Sequence, residues 1–332
     1  MSAPDPRPDP AHEGALRVIG YILRRIGTSI VVLFGVSIFI FGLLHAIYPS
    51  PAIDVLGSRA NTVAIAAWNK QYGFDDPWIE QYLRYMGNLL RGNLGYSYKL
   101  NQGVSALLGE VWARSAWLSG VSLVLSVVIA IPLGVYQAVR RNTFGDYAAT
   151  GLAFTVYAMP VFFLGLILIE VFALKLHWFS FEGSQSNSLP AIIVDWRSMT
   201  LPVVTLTLLT IASFSRYMRS TSMDVLAQDY IKVARAKGLP ERLVLLRHLL
   251  RNACLPMVTL IGLSIPALLA GNLITETLFN YRGLGLLFYT ALGNVDYNVL
   301  LAYTLLGAVL TIVGNLVADI ALTVADPRIR LA

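Results

Sequence analysis

The stretch of residues 115–139 reads SAWLSGVSLVLSVVIAIPLGVYQAV and contains no Asp, Glu, Lys or Arg. Because a helix that crosses the hydrocarbon core needs about 20 apolar residues, this stretch predicts a membrane-spanning helix. Five further stretches also lack these four residue types: 26–52, 147–169, 198–215, 252–275 and 297–318. The fourth span in chain order, 198–215, is the shortest. The sequence therefore predicts an all-α integral membrane protein with about six transmembrane helices.

The composition supports a membrane domain rather than soluble domains. Of the 332 residues, 56% are hydrophobic and only 13% are charged, whereas soluble domains carry about 25% charged residues. The net charge of +6 is better explained by membrane topology than by nucleic-acid binding. A lone cysteine, Cys254, cannot form an internal disulfide or a thiolate metal cluster, and we interpret it as a small buried hydrophobe.

The first apolar stretch could be a cleaved signal peptide or an uncleaved first helix. Arg24 and Arg25 would suit the basic region of a signal peptide. However, the apolar run of about 22 residues exceeds the usual length of about 7–15 residues. Pro49 and Pro51 also disrupt a small-residue cleavage site. We therefore predict that this helix is retained.

The placement of Lys and Arg predicts that the N- and C-termini are cytoplasmic. In this orientation 16 of the 25 Lys and Arg residues fall in cytoplasmic segments, which agrees with the positive-inside rule. The predicted organisation is a disordered cytoplasmic tail at 1–13, then an amphipathic lead-in and first span at 14–49. An external domain follows at 50–114, and a transmembrane core at 115–332 includes a cytoplasmic loop at 216–251.

The cytoplasmic loop 216–251 is the most informative segment, with eight basic and three acidic residues. Good helix formers run from Asp224 to Lys237 and then meet Gly238, the residue type that most often caps a helix C-terminus in the left-handed conformation. Pro240 suits the start of a second helix. The loop is therefore predicted to be two helices joined by a tight bend.

Two interpretations of this loop are open. It could rest on anionic lipid as an ordinary basic loop, or it could dock onto a cytoplasmic partner. The second helix would place Leu243, Leu246 and Leu250 on one face. The small residues Ala234, Ala236 and Gly238 would allow close approach at the bend. We favour the docking interpretation.

The run DYIKVARAKGL at 229–239 resembles the coupling loop of the dipeptide and oligopeptide permeases, the membrane subunits of ABC importers. The run RHLLRNA at 247–253 also resembles this family, including Arg251, where many other importers have a proline. Further resemblances cover nearly the whole chain, at 21–48, 94–97, 131–134, 276–285 and 319–330. The family usually has a proline at the position of Arg282, so this chain departs from the pattern there.

The resemblance implies the type I ABC importer permease fold and a permease subunit that translocates di- or oligopeptides across the bacterial plasma (inner) membrane. The external domain points to the B-type member of a permease pair. No catalysis and no cofactor are implied in this chain, because ATP and Mg would be held by partner subunits. The implied partners are two cytoplasmic ATPase subunits or domains, a second homologous permease, an extracytoplasmic substrate-binding protein and membrane lipid, but no nucleic acid. The implied ATPase-coupling residues are Asp229, Tyr230, Ala234, Arg235, Ala236, Lys237, Gly238 and Leu239.

Polar groups close to the spans form a second set of candidates. Ionisable residues in a membrane are costly and are functional candidates by default. Glu276, Asn315 and Asp319 could line or gate the cargo path, or they could make interhelical hydrogen bonds, and we favour the second interpretation. Four prolines within spans can kink their helices: Pro132, Pro160, Pro202 and Pro266.

The sequence contains no Walker A motif, so the chain cannot hydrolyse ATP by that route. The scattered His and Cys residues predict no metal site. One alternative function is a proton-coupled secondary transporter that uses Glu170, Glu276 or Asp319. Another is a membrane receptor or scaffold whose external domain binds a ligand. Neither alternative gives the basic loop a role.

Overall fold

The computed structural model describes residues 10–48, 50–57 and 59–325. It describes their side chains except at 10–23, 25–26, 54, 266–270 and 318–325. Within these residues the secondary structure is helical apart from a short two-stranded hairpin, which confirms the predicted all-α class. The chain divides into two compact units, residues 1–87 and 88–332.

The first unit contains four helices, the last of which continues past its end. They are α1 (Pro10–Ile47), α2 (Ala52–Leu56), α3 (Thr62–Tyr72) and α4 (Trp78–Leu90). α1 joins the predicted lead-in and first span in one helix. It begins within the tail 1–13 that was predicted to be disordered, since a proline is compatible with the first helical turn. The remainder of that tail, residues 1–9, lies outside the described residues.

The second unit contains the hairpin and all later helices. The hairpin pairs β1 (Tyr96–Ser97) with β2 (Gln102–Gly103) in antiparallel register. The helices before the basic loop are α5 (Val104–Val139), α6 (Phe144–Ala158), α7 (Val161–Leu168), α8 (Leu189–Val194) and α9 (Trp196–Leu226). Those that follow are α10 (Asp229–Ala236), α11 (Glu241–Leu243), α12 (Leu250–Ala253), α13 (Leu255–Ala270), α14 (Leu273–Leu278), α15 (Leu284–Gly293) and α16 (Tyr297–Ala325). π-helical turns extend α7 through Ile169–Lys175 and join α11 to α12 through Val244–Leu249.

The described helices supply four of the six predicted spans as single helices, and two bent helix pairs overlap the other two. Four segments are long and apolar enough to cross a membrane: Gly27–Ile47, Val104–Val139, Trp196–Leu226 and Tyr297–Val317. Two bent pairs complete the set if each pair is one span: Phe144–Ala158 with Val161–Lys175, and Glu241–Ala253 with Leu255–Ile265.

The predicted third span, 147–169, is not one straight helix. α6 and the segment that begins with α7 are inclined by 109° to each other. The break lies at Met159, which is extended at φ −78° and ψ 134°, because the ring of Pro160 disfavours the helical conformation of the residue before it. Pro132 and Pro202, in contrast, lie within α5 and α9 without interrupting them.

α9 continues well beyond the predicted end of the fourth span at residue 215, so two arginines assigned to the loop lie within a helix. Arg219 donates two hydrogen bonds of 2.9 Å to the buried carboxylate of Asp146 on α6. The guanidinium of Arg216 stacks on the rings of Phe154 and Tyr157, at 4.3 and 4.8 Å from their centroids. These partners stabilise both cations within α9.

α5 and α9 approach each other closely through small residues. Ser122 and Ser126 on α5 are buried, and their hydroxyls lie 3.4 and 3.2 Å from backbone carbonyl oxygens of α9. At Gly134 an added Cβ would lie 2.6 Å from the Cβ of Met218. Small residues allow this close packing of membrane helices, and they fix the position of α9, which leads into the basic loop.

Candidate functional site

The predicted coupling helix is α10, and it begins later than the sequence suggested. The expected helix from Asp224 to Lys237 is interrupted after Leu226, where α9 ends. α10 then starts at Asp229, whose carboxylate accepts a hydrogen bond of 2.8 Å from Lys232. This hydrogen bond, together with the positive charge of Lys232, lowers the pKa of Asp229. A carboxylate at this position also favours the N-terminus of a helix.

The bend after α10 is built around Gly238, as predicted. Its φ of +75° lies in the left-handed region, where glycine is favoured over other residues. The Gly238 N–H donates to the Arg235 carbonyl at 2.9 Å, and the Leu239 N–H donates to the Ala234 carbonyl at 3.3 Å. These two hydrogen bonds form a Schellman motif, so the backbone itself specifies the direction in which the chain leaves α10.

A bidentate ion pair connects the two helices on either side of the same bend. Arg235 on α10 donates from Nε and Nη2 to the carboxylate of Glu241 on α11, over 3.1 and 2.6 Å. Bidentate arginine–carboxylate pairs fix orientation as well as distance. The pair therefore holds the end of α10 against the start of the following helix.

A second tie connects α10 to the helix that leads into the fifth span. The amide of Asn252 on α12 donates to the hydroxyl of Tyr230 over 3.1 Å and to the carbonyl of His248 over 2.9 Å. Tyr230 is part of the predicted coupling set, whereas Asn252 was noted only within the resemblance at 247–253 and was given no role. Its partner lies 22 residues away, so no local pattern could have indicated it.

The predicted coupling residues divide into a buried and an exposed group. Ile231, Ala234 and Val244 form a buried apolar cluster on which Leu239 packs. Ala234 is therefore not available for direct contact, contrary to its expected role in close approach. The exposed members of the predicted set are Asp229, Tyr230, Arg235, Ala236, Lys237 and Gly238.

The leucine face predicted for the second helix is not the face that this helix buries. Leu243 and Leu246 are exposed, and the buried positions are Val244, Leu249 and Ala253. The reason is the π-helical stretch Val244–Leu249. Its i→i+5 hydrogen bonds place the buried residues Val244 and Leu249 five apart, whereas Leu249 and Ala253 keep the α-helical spacing of four.

Several exposed cations surround α10. Lys237, Arg242, Arg247 and Arg251 are all exposed, and none of them forms an ion pair with a carboxylate in the part of the chain that the structure describes. Together with the exposed Leu243 and Leu246, they give this end of the molecule a basic surface that also contains apolar groups.

Glu276 forms a second polar centre, at the opposite end of α13 from the basic loop. Its side chain is buried, and it accepts hydrogen bonds from the Ser115 hydroxyl at 2.8 Å and the Asn272 N–H at 3.0 Å. Its other oxygen accepts from the N–H groups of Gly285 and Leu286, at 2.7 and 3.4 Å. All four partners donate to this side chain, so both of its oxygens act as acceptors. The carboxylate joins α5, α14 and α15.

The other predicted polar groups do not join Glu276 in one site. Glu170 pairs with Lys175, 3.3 Å away in the same π-helical segment. Asn315 lies half-buried on α16, and the side chain of Asp319 lies outside the described residues. The structure thus gives Glu170 and Glu276 separate partners, and it shows no chain of carboxylates among the described side chains.

The hairpin before α5 is anchored to the start of α16. The buried hydroxyl of Ser97 donates to Asp296, and the amide of Asn298 donates to the Tyr96 carbonyl over 2.8 Å. Gly95 lies directly beside Asn298, because an added Cβ would be 3.1 Å from that side chain. This contact explains the glycine in the Leu94–Ser97 motif that the sequence indicated.

Comparisons with known proteins agree with this architecture. Residues 130–331 match the family described as the binding-protein-dependent transport system inner membrane component. Residues 18–115 match the N-terminal model for a membrane component of such systems.

Among curated proteins, the chain is 38% identical over 312 residues to the oligopeptide transport system permease protein AppB of Bacillus subtilis, covering 93% of this chain and 99% of that protein. It is 34% identical over 313 residues to the glutathione transport system permease protein GsiC of Escherichia coli, covering 94% and 99% of the two chains. A solved inward-facing structure of the MetNI methionine ABC transporter has a chain that matches with a TM-score of 0.52 and 17% identity. That match covers 67% of this chain and 97% of the other, and it supports the fold alone.

Proposed function

Since this chain belongs to the family of binding-protein-dependent transport system inner membrane components, we propose that it carries peptides delivered by an extracytoplasmic binding protein. The chain is a multi-pass inner membrane protein and a permease subunit of an ABC importer. Relatives named for oligopeptide and glutathione transport support di- or oligopeptides as its cargo.

The proposed transporter contains two permease subunits, of which this chain is one, and two cytoplasmic ATPase subunits or domains. ATP and Mg are held by those ATPases, because this chain has no Walker A motif. Both termini and the basic loop face the cytoplasm, in agreement with the distribution of Lys and Arg.

The coupling mechanism is supported by the contacts of α10 with two neighbouring helices. The Arg235–Glu241 pair and the Tyr230–Asn252 hydrogen bond connect α10 to the helix that leads into the fifth span. The buried contact of Ile231 and Ala234 with Val225 and Leu226 connects it to the end of α9. A partner that moves α10 therefore moves two spans together.

The proposed cycle follows from these connections. ATP binding closes the two ATPases, and the groove of one of them displaces the exposed face of α10. α9 and the α12–α13 pair then tilt, and the permease pair changes the side of the membrane to which its cavity opens. The ATPases supply the differential interaction energy that such a shift requires.

The chemistry of the surface around α10 defines the partner that it fits. Lys237, Arg242, Arg247 and Arg251 present exposed positive charge, so the docking surface of the ATPase is expected to carry carboxylates that complement it. Exposed Tyr230 and Val233 supply apolar and aromatic contact at its centre, as is common for residues that anchor an interface.

Affinity isolation of the complex tests this function. The tagged chain is extracted from its host membrane in mild detergent, and its companions are identified by mass spectrometry. We expect a second permease of similar size and one or two ATPases that contain a P-loop. Recovery of this chain alone, under conditions that keep other ABC importers intact, would contradict the proposal.

A further inference from the structure

α4 packs against the first membrane span. The hydroxyl of Tyr82 forms a buried hydrogen bond of 2.7 Å with the hydroxyl of Ser37 on α1. The ring of Tyr82 contacts Phe34 and Phe41 edge-on, with centroid distances of 6.1 and 5.4 Å. Since Phe34, Ser37 and Phe41 are spaced by three and four residues, they share one face of α1. That face is the one on which α4 lies.

The position of Ser37 sets the depth of this contact. The apolar span within α1 is Gly27–Ile47, and Ser37 is its middle residue. At a rise of about 1.5 Å per residue, Ser37 lies roughly 15 Å from the end at Ile47, which is half of a hydrocarbon core about 30 Å thick. Tyr82 therefore reaches the middle of the span, although the sequence placed α4 in an external domain.

A second face of α4 is apolar and uncovered. Ile79, Leu83 and Met86 are separated by four and three residues, so they form one stripe. Ile79 is 53% exposed and Leu83 is 61% exposed. This stripe lies next to the face that packs on α1, because Ile79 and Leu83 each flank Tyr82 within one helical turn.

The third face of α4 is polar. Glu80 is exposed, and Arg84 pairs with Asp76 at the start of the helix. A helix with one apolar face, one polar face and a Trp at its start, here Trp78, is typical of segments that lie at a membrane interface.

The faces of α1 that do not contact α4 are exposed and apolar. Val31 and Phe39 on the span are 71% and 68% exposed, as expected for side chains that face lipid. α4 lies alongside this span, at a depth where the surrounding medium is hydrocarbon. The same medium that covers the span is thus available to cover Ile79 and Leu83.

We propose that α4 is inserted in the leaflet occupied by the Ile47 end of α1, with Ile79 and Leu83 in contact with lipid acyl chains. Under the predicted topology this is the extracytoplasmic leaflet. The inference goes beyond the transport function and does not depend on it. It assigns α4 a role as a lipid-facing anchor that joins residues 50–87 to the first span.

Spin labels at single cysteines test the proposal in the assembled transporter reconstituted in liposomes. The lone Cys254 is first replaced by serine, and labels are then introduced through Ile79→Cys and Leu83→Cys. Glu80→Cys serves as the matched control on the polar face of the same helix, and Phe39→Cys as the lipid reference on α1. Power saturation compares collisions with oxygen, which partitions into lipid, with collisions with a neutral nickel chelate, which stays in water.

The expected result is that labels at Ile79 and Leu83 behave like the label at Phe39. Oxygen accessibility should then exceed chelate accessibility severalfold, and the ratio of the two should be clearly lower for the label at Glu80 on the polar face. Greater access of the chelate at Ile79 and Leu83 would place the stripe in water and overturn the proposal. Exclusion of both reagents at these two positions would show that protein covers the stripe, and it would equally overturn the proposal.

Discussion

Replacement of Gly238 perturbs the bend after α10 without touching its neighbours. An added Cβ at this position meets no heavy atom within 4 Å, so the effect of Gly238→Ala comes from the backbone alone. At a φ of +75°, a residue with a Cβ is less stable by about 1–2 kcal/mol. That difference corresponds to a factor of roughly 5–30 in the population of the bent conformation.

Different substitutions at Gly238 should differ in severity, because residues differ in how readily they adopt a positive φ. Asn enters the left-handed region more readily than other non-glycine residues, and a β-branched residue enters it least readily. Peptide uptake per ATP hydrolysed, measured in proteoliposomes that contain all subunits, should therefore decrease least in Gly238→Asn, more in Gly238→Ala and most in Gly238→Val. For Gly238→Ala the decrease should reach up to about 30-fold, while ATP hydrolysis continues.

Gly92 supplies a matched control for backbone strain. Its φ is +78°, and an added Cβ there also meets nothing within 4 Å. Gly92→Ala introduces the same type of strain away from the basic loop and should leave uptake per ATP unchanged. If both Gly238→Ala and Gly238→Val kept the wild-type uptake per ATP, the bend at Gly238 would not be required for coupling. An equal decrease of uptake per ATP in Gly92→Ala would show that the effect is not specific to this bend.

Three further predictions concern the contacts that hold the site together. A double-mutant cycle with Arg235→Ala and Glu241→Gln should give a coupling energy below about 1 kcal/mol in thermal unfolding, because the pair is half-exposed; a value of several kcal/mol would contradict this. Glu276→Gln should destabilise the protein by about 1–3 kcal/mol, because the amide nitrogen would face N–H donors, and an unchanged melting temperature in detergent would show that those donors do not require the carboxylate. Gly134→Val should separate α5 from α9 and lower the melting temperature, whereas Gly120→Val on the same helix, where a Cβ meets nothing within 4 Å, should change it little; equal effects would contradict the close packing.

The sequence predicted the number of apolar segments better than it predicted their shape. Long runs without charge are sufficient to indicate spans, and each of the six overlaps a described span or bent pair. The break at Met159 depends on whether Pro160 kinks a helix or ends it. That choice is decided by packing partners, which the local pattern does not contain.

The bend of the basic loop was predictable because its chemistry is local. Gly238 and Pro240 stand at fixed offsets from the end of α10, and the Schellman hydrogen bonds involve residues at most five apart. The extension of α9 was missed, since the stabilising partner of Arg219 is Asp146, 73 residues away. The burial of Ala234 was also missed, because it depends on how the second helix packs back onto α10.

Polar groups with distant partners were the hardest to interpret from the sequence. Glu276 was recognised as a candidate, but its hydrogen-bond donors were not. They are the Ser115 hydroxyl and backbone N–H groups at the start of α14 and of α15. The two anchors of the hairpin, Asp296 and Asn298, gave no signal at all. Their role follows from the approach of two segments about 200 residues apart.

We propose that the exposed face of α10 contacts the ATPase, and site-directed cross-linking can detect this contact. A photo-activatable maleimide is attached at Ala236→Cys in a background that lacks Cys254, and Arg141→Cys, exposed in the loop between α5 and α6, serves as the control. We expect a covalent product between this chain and an ATPase subunit from position 236 and none from position 141. Absence of that product at position 236 in the assembled, ATP-hydrolysing complex, or equal yields at both positions, would show that α10 does not form the proposed contact.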